Sequence, residues 1–291
     1  MKLADSLYHA GHFYEAAIAY EKAIFENNDI QRINELLIQK SYCYKQNGNH
    51  RKAIQSLERV KTWNIGDIAY KKLKYELSLN SYLAKEYKQA DAHIKQLYFH
   101  LKGKDLQTDT LSSRRNVPAG SKISMIDNHS GGNKLMLLDG LINNELRNWD
   151  IAHERFKAYI EELKINEELK EKYLTVLDSL YQKSNLPVWK SPEKAFKWST
   201  YIPGSGQIYA GYPGEGIANI LFHLVSFGFA AEEIYFKNYL TGYFGGFALL
   251  QKFYFGGRER ARYLAERNND KTKREFNDKV KRLLLQNLMK E

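Results

Sequence analysis

An alanine that recurs at a fixed spacing constrains the fold of this chain more than any other feature. Ala16, Ala53 and Ala90 are separated by intervals of 37 residues, and Ala152 follows after a further 62. Self-similarity at a period of roughly 20 to 50 residues indicates stacked copies of one small structural unit. The first half of the chain is therefore expected to be an array of such units.

The residues around each alanine predict a helix–turn–helix unit. Five positions before it stands a glycine or a substitute for glycine, which would end one helix in a left-handed conformation. The alanine would let the next helix approach closely, and a large apolar residue four positions later would fill the gap between units. The turn residues are Gly11, Gly48, Lys85 and Arg147, and the large residues are Tyr20, Leu57, Ile94 and Phe156.

This pattern resembles the tetratricopeptide repeat over roughly residues 1–165, in degenerate form and with a slightly longer period. The resemblance implies an all-α, tetratricopeptide-like helical solenoid. The amphipathic segment "LKINEELKEKYLTVLDSLYQKS" would then close the array as a capping helix. A generic antiparallel helical bundle is the alternative that the pattern leaves open.

The resemblance also implies a binding groove, because the first helices of successive tetratricopeptide units line a concave face. Such a basic and aromatic face suits an extended or acidic peptide, so a protein partner is expected there. Packing inside the solenoid would explain the tyrosines equally well. The residues that map to this face are Tyr42, Lys45, Lys72, Tyr75 and Tyr82.

Two irregularities interrupt the repeats. Residues 103–133 are rich in Ser, Gly, Asn and Asp without helical periodicity, so a loop excursion is expected there. Only ten residues precede Gly11, which is short for the first helix of a repeat. The first repeat helix therefore looks truncated, which leaves open whether an upstream segment, such as an export signal, precedes it.

The charge changes abruptly after the prolines at 187 and 192. Between Ser199 and Gln251 the only Lys or Arg is Lys237, whereas residues 252–291 hold twelve Lys and Arg against six acids. Two uncharged segments, 216–231 and 238–251, are rich in aromatic and small residues. Each is shorter than the usual span of about twenty residues, but aromatic ends and small residues are typical of membrane helices. We predict a two-helix transmembrane hairpin over 214–257; a soluble or peripheral adaptor, with these segments packed on its own solenoid, is the alternative.

The sequence "YIPGSGQIYAGYPGEG" at 201–216 introduces the first apolar segment. It resembles a PGxGQxYxG motif that precedes a two-helix membrane hairpin in uncharacterised bacterial proteins, some of which carry tetratricopeptide-like repeats. The resemblance implies membrane attachment, no established chemistry, and a turn after the second span at Tyr254, Gly256 and Gly257. Gln207 is expected to bond backbone groups freed near hydrocarbon. The motif residues, all expected to be structural, are Pro203, Gly204, Gly206, Gln207, Tyr209, Gly211, Gly256 and Gly257.

The net charge of +10 is compatible with nucleic acid or anionic lipid. No recognised nucleic-acid-binding fold is present, and Phe276, Val280 and Leu284 form an apolar stripe at helical spacing in the basic tail. We therefore expect this tail to meet lipid headgroups or the repeats, with no nucleic-acid partner. The cations that flank the hairpin place the repeats in the cytoplasm by the positive-inside rule; a lost export signal would place them in the periplasm.

The sequence contains none of the common catalytic motifs. The chain has no HExxH, CxxC, phosphate-loop or G-x-S-x-G motif, and Cys43 reads as a buried structural thiol. We expect no enzyme, cofactor or metal, although a cell-envelope enzyme of unrecognised chemistry is a weaker alternative. The predicted domains are a solenoid at 1–186, a membrane hairpin domain at 187–257 and a basic tail at 258–291. The predicted function is a membrane-anchored scaffold, for instance in envelope assembly or secretion.

Overall fold

The computed structural model describes residues 2–108 and 131–288. Every regular element in these two ranges is a helix, so the fold is all-α over the described part of the chain. The chain divides into two compact units, Met1–Asp178 and Ser179–Glu291. The division falls eight residues before the predicted boundary at 186.

The first unit is a succession of antiparallel helices. Down to α8, each one packs against the next along the chain. A short 3₁₀ turn, Thr62–Asn64, precedes the fifth helix. The helices are α1 Lys2–His9, α2 Phe13–Phe25, α3 Ile30–Gln46, α4 His50–Glu58, α5 Asp67–Leu83, α6 Tyr87–Thr108, α7 Gly131–Glu145, α8 Trp149–Glu161 and α9 Glu167–Leu180.

Four turns of identical geometry join these helices in pairs. Gly11 and Gly48 have φ of 83° and 70°, and Lys85 and Arg147 take the same left-handed conformation at 64° and 66°. In each turn the amide after the left-handed residue donates to the carbonyl five residues earlier, as His12 N does to Leu7 O at 2.9 Å. This is the Schellman ending, which satisfies carbonyls left open at a helix C-terminus. The left-handed state costs a residue other than glycine roughly 1–2 kcal/mol, so Lys85 and Arg147 are held there by the surrounding fold.

The recurring alanines all lie in the interior of the first unit. Ala16, Ala53, Ala90 and Ala152 are all fully buried. One core cluster spans α1 to α5, and a second joins α6 and α7 to residues of α5. Helices α6 and α7 extend into the predicted excursion at 103–133 from both sides, and the remainder of that prediction, 109–130, lies outside the described residues.

The second unit contains α10 Pro192–Tyr201, α11 Ser205–Tyr209 and α12 Pro213–Tyr235. After a turn, α13 Tyr239–Thr241 continues through a π-helical stretch, Gly242–Phe247, into α14 Ala248–Leu288. Helix α12 packs against the π-helical stretch and against α14. The turn expected at Gly256 and Gly257 is not formed, because both residues lie inside α14.

The basic tail continues α14 without interruption and shares its packing. Helix α14 runs alongside α10, and Ala261, Leu264 and Ala265 form a buried cluster with Ala195 and Ala210. The apolar stripe at Phe276, Val280 and Leu284 is buried as well, with the Phe276 ring edge-on to Tyr181 at 5.4 Å. The stripe is therefore occupied by protein contacts and is not available for insertion into lipid.

The turn that joins the repeat helices also occurs twice in the second unit. Gly211 has φ of 95° and Lys237 has φ of 64°, and the 6→1 hydrogen bonds are Tyr212 N to Gln207 O (2.9 Å) and Asn238 N to Glu233 O (2.8 Å). Five positions after each turn residue, where the repeats have alanine, stand the buried glycines Gly216 and Gly242. The same type of left-handed turn therefore joins helices in both units.

Candidate functional site

Three of the predicted groove residues come together between α3 and α5. The ammonium nitrogens of Lys45 and Lys72 lie 5.7 Å and 5.4 Å from the centre of the Tyr42 ring. Such distances are typical of cation–π contacts. The two lysines therefore converge on one aromatic side chain.

Glu76, which the sequence analysis did not single out, changes the charge of this face. Its carboxylate is buried and accepts from Lys45 Nζ at 2.9 Å. Burial, and secondarily the charge of Glu76, raises the pKa of Tyr42, so its phenol stays protonated. Lys45 is neutralised by an ion pair across the two helices, whereas the exposed Lys72 forms no ion pair within the described ranges. The signal for Glu76 is its position four residues after Lys72, on the same side of α5.

Tyr75 and Tyr82 have a different environment. Both are half-buried and pack against the second core cluster, and the Tyr82 ring lies 5.7 Å from that of Tyr87. Burial, followed by the charge of Glu76, raises the pKa of Tyr75. The structure therefore assigns these two tyrosines contacts that stabilise helix packing.

In the second unit, Gln207 connects the motif at 201–216 to α14. The side chain is buried; its amide nitrogen donates to Gly257 O at 2.9 Å and its amide oxygen accepts from Ser199 Oγ at 2.8 Å. Ser199 Oγ in turn accepts from Gly206 N at 3.1 Å. Gln207 does bond a backbone carbonyl as expected, and it ties α10, α11 and α14 together.

The motif glycines are required for close approach. A Cβ on Gly206 would overlap the carbonyl of Ala195, and one on Gly204, whose φ is 90°, would overlap the carbonyl of Gly216. A Cβ on Gly257 would lie 2.5 Å from Asn219 Nδ2, whereas Gly256 faces open space. Gly204 and Gly206 therefore exclude a side chain, whereas one on Gly257 would require the Asn219 side chain to move.

The remaining motif residues shape the same junction. Tyr209 Oη accepts from Ser191 N at 3.1 Å, and its ring lies 5.7 Å from that of Trp198 and 5.2 Å from Lys190 Nζ. Gly211 forms the left-handed turn into α12, and Pro203 is half-buried before α11. The motif is a packing junction in which side chains satisfy backbone groups.

Helix α12 is long and apolar enough to cross a membrane by length and composition, the one such helix in the described ranges. Only 11% of the most apolar 18-residue stretch of this helix is buried. Large side chains such as Leu224, Val225 and Phe227 are therefore exposed. The second apolar segment also exposes its large residues, including Tyr243, Phe244 and Phe247. The two segments pack against each other, and each exposes large apolar side chains.

The face of α12 that is not exposed carries the small and polar residues. A Cβ on Gly246 would overlap Ala230, and one on Gly242 would lie 3.3 Å from the carbonyl of Ala230. Ser226 is buried, and His223 Nδ1 donates to Asn219 O at 2.8 Å. Small residues thus bring the two backbones together, as in membrane helix pairs.

Comparison with family models, with curated proteins and with solved structures gave no match. Within the described ranges, no group of three or more His, Cys, Asp or Glu side chains could hold a metal ion.

Proposed function

We propose that this protein is a non-enzymatic, membrane-anchored scaffold of bacteria. Its first unit acts as a tetratricopeptide-like solenoid for protein partners, and its second unit holds the protein in the bilayer through a two-helix hairpin. The observation that carries the proposal is the exposed apolar surface of α12 and the segment that follows it. Exposed apolar patches beyond a few hundred Å² are rare on soluble monomers and mark membrane or protein contacts.

The two-helix arrangement supports a hairpin that crosses the bilayer twice. At 1.5 Å per residue, the 23 residues of α12 are about 34 Å long, enough for a hydrocarbon core of about 30 Å. The returning segment packs on α12 through glycines, and its helical backbone satisfies its own hydrogen bonds, which hydrocarbon demands. A soluble or peripheral adaptor remains the second candidate, because the aromatic surface would also suit a protein partner.

The first prediction concerns attachment. Full-length protein should remain in the membrane pellet after a carbonate wash, because two buried spans hold more tightly than surface charge. The matched comparison is a chain with Leu224→Glu and Phe227→Glu, which places two carboxylates on the exposed face of α12 and should appear in the supernatant or fail to accumulate. Full-length protein that is monodisperse without detergent would contradict the anchor and favour the adaptor.

We further propose that the repeats face the cytoplasm. Lys190, Lys194 and Lys197 precede the hairpin, and Lys252 and Arg258 follow it, whereas its connecting turn has only Lys237. The same membranes, prepared as sealed inside-out vesicles, should therefore lose the repeats to added protease. Protection of the repeats would place them in the periplasm.

The second prediction concerns partner binding by the face formed by Tyr42 and Lys72. Lys72→Glu should abolish capture of an acidic partner from detergent extracts, because it replaces the unpaired cation of this face by a like charge. Lys88→Glu, an equally exposed change on α6, is the matched control and should leave capture intact. Lys45→Glu is less informative because it also breaks the ion pair with Glu76. Equal capture of the partner by both variants would show that the partner binds a different surface of the protein.

A further inference from the structure

Helices α10 and α14 run side by side just beyond the second apolar segment. Tyr254 Oη donates to Thr200 O at 3.0 Å, near the C-terminal end of α10. One turn further along α14, the guanidinium of Arg258 lies 4.7 Å from the centre of the Phe196 ring. The pair is therefore antiparallel, and the C-terminal end of α10 lies nearest to the apolar segments.

Arg258 is held by aromatic rings rather than by a carboxylate. Besides Phe196, the rings of Tyr254 and Phe255 lie 4.9 Å and 5.0 Å from its guanidinium carbon. It forms no ion pair within the described ranges, and its buried Nε has no hydrogen-bond acceptor. Aromatic faces attract the charge but leave the planar fork of N–H donors unused. The side chain is thus positioned to receive an anion.

The neighbouring arginines on α14 differ because they are already neutralised. Arg260 donates from two nitrogens to the carboxylate of Glu215, each at 2.8 Å. Arg262 pairs with Glu259 at 2.8 Å and with Glu193 at 3.4 Å. On α10, by contrast, Lys194 and Lys197 are exposed and form no ion pair within the described part of the chain. Arg258 and these two lysines are therefore cations of the α10–α14 pair that no carboxylate neutralises within the described ranges.

An aromatic layer separates these cations from the apolar surface. Trp198 and Tyr201, at the end of α10 that approaches the apolar segments, are 55% and 84% exposed, and Ile202 follows at 63%. Arg258 lies about 6 Å beyond Tyr254 along the helix axis, at 1.5 Å per residue. Apolar surface, exposed aromatic residues and Arg258 thus follow one another in the order of hydrocarbon, interface and headgroup phosphate in a bilayer, with the exposed Lys252 at the end of the apolar segment.

We propose that Arg258 binds the phosphate of an anionic phospholipid, and that the exposed Lys194 and Lys197, at neighbouring levels of the α10–α14 pair, add positive charge at the same surface. The continuity of these residues with the exposed apolar surface identifies the bilayer as the source of the phosphate. The planar guanidinium offers two parallel hydrogen bonds to phosphate oxygens, and the two lysines favour a lipid with net negative charge over a zwitterionic one. This inference rests on the proposed membrane anchor and adds a lipid preference to it.

The test is retention of lipid by the full-length protein in detergent, counted by native mass spectrometry. Phosphatidylglycerol and phosphatidylcholine with identical acyl chains are the two probes. Wild type should retain phosphatidylglycerol more, and Arg258→Gln should reduce that preference about five-fold, the effect expected of one cation at an anionic surface. Arg258→Lys should recover only part of it because the bidentate fork is lost.

Two further variants keep the result interpretable. The double change Lys194→Gln, Lys197→Gln alters only exposed positions, so its loss of preference would not reflect misfolding. Arg274→Gln, exposed near the far end of α14, is the matched control and should behave as wild type. Equal retention of both lipids by wild type, or an unchanged preference in both the Arg258→Gln and the double-lysine variants, would overturn the inference. Release of wild type by carbonate would instead refute the anchor, so the two failures are distinguishable.

Discussion

Asp139→Ala is expected to lower the free energy of unfolding of the first unit by about 3 kcal/mol. Asp139 is buried on α7 and accepts hydrogen bonds from Tyr98 Oη at 2.9 Å and Asn143 Nδ2 at 2.7 Å. Its other contact is the ion pair with Arg155 Nε on α8, also at 2.7 Å. Alanine would leave the partly buried Arg155 without its carboxylate and the Tyr98 hydroxyl without an acceptor, and such unsatisfied groups are costly. Asn143 Nδ2 would keep its hydrogen bond to the backbone oxygen of residue 139 at 2.9 Å.

The measurement is denaturant unfolding of the full chain in detergent, followed by far-ultraviolet circular dichroism. Glu154→Gln, an exposed change next to Arg155 on α8, is the control and should stay within about 0.5 kcal/mol of wild type. The double variant Asp139→Leu, Arg155→Met should be less destabilised than the sum of its two single changes, because it removes the charge pair together. Strict additivity, or an Asp139→Ala variant as stable as wild type, would contradict this account.

Burial raises the pKa of Asp139 above its ordinary value, against the opposing effect of Arg155. Burial of this ion pair therefore has an unfavourable desolvation energy as well as a favourable attraction between the charges. The prediction concerns the variant that removes only one of the two charges. The same distinction applies to Lys45 and Glu76 on the predicted groove. Lys45 and Glu76 also form an ion pair between two helices, and they are 31 positions apart in sequence.

The helix–turn–helix pairs could be predicted because their signals are local. A left-handed turn residue and an alanine five positions later fix both the end of one helix and the approach of the next. Lys85 and Arg147 were predicted to form this turn only from their position five residues before the alanine. In the structure their φ is left-handed, as it is for Gly11 and Gly48. The turn at Lys237 has no such local signal, because its turn residue is not glycine and Gly242 stands where the repeats have alanine; after Gly211, too, the alanine is replaced by Gly216.

The electrostatic details could not be predicted because they depend on long-range pairing. Glu76 and Asp139 are both buried opposite cations of other helices. The local sequence places Glu76 on the same side of α5 as Lys72, but it does not indicate which cation of another helix either acid meets. The continuation of α14 through Gly256 and Gly257 was also missed, since paired glycines usually indicate a turn. Here α14 packs against α10 and α12, and Gly257 is buried beside the Asn219 side chain, so tertiary packing outweighs the local preference.

Gly246→Ala should destabilise the hairpin, whereas the same change at Gly228 should not. A Cβ on Gly246 would meet the backbone of Ala230 on α12, so the two helices would have to separate. Overpacking of this kind costs about 1–3 kcal/mol. Gly228 is exposed with open space around the position of its Cβ, and alanine there should gain up to about 1 kcal/mol of helix propensity.

The two glycines thus distinguish a packed helix pair from a merely flexible apolar segment. In thermal unfolding in detergent, the Tm of Gly246→Ala should be lower than that of wild type. The Tm of Gly228→Ala should be equal to that of wild type or higher. The π-helical stretch that contains Gly246 lies against α12 only because Gly242 and Gly246 carry no side chains. If flexibility were the function of these glycines, both changes would stiffen the segment and raise the Tm alike. Opposite shifts would therefore place the stability of the hairpin in direct backbone contact, the form of association available to helices in lipid, where no hydrophobic force drives them together.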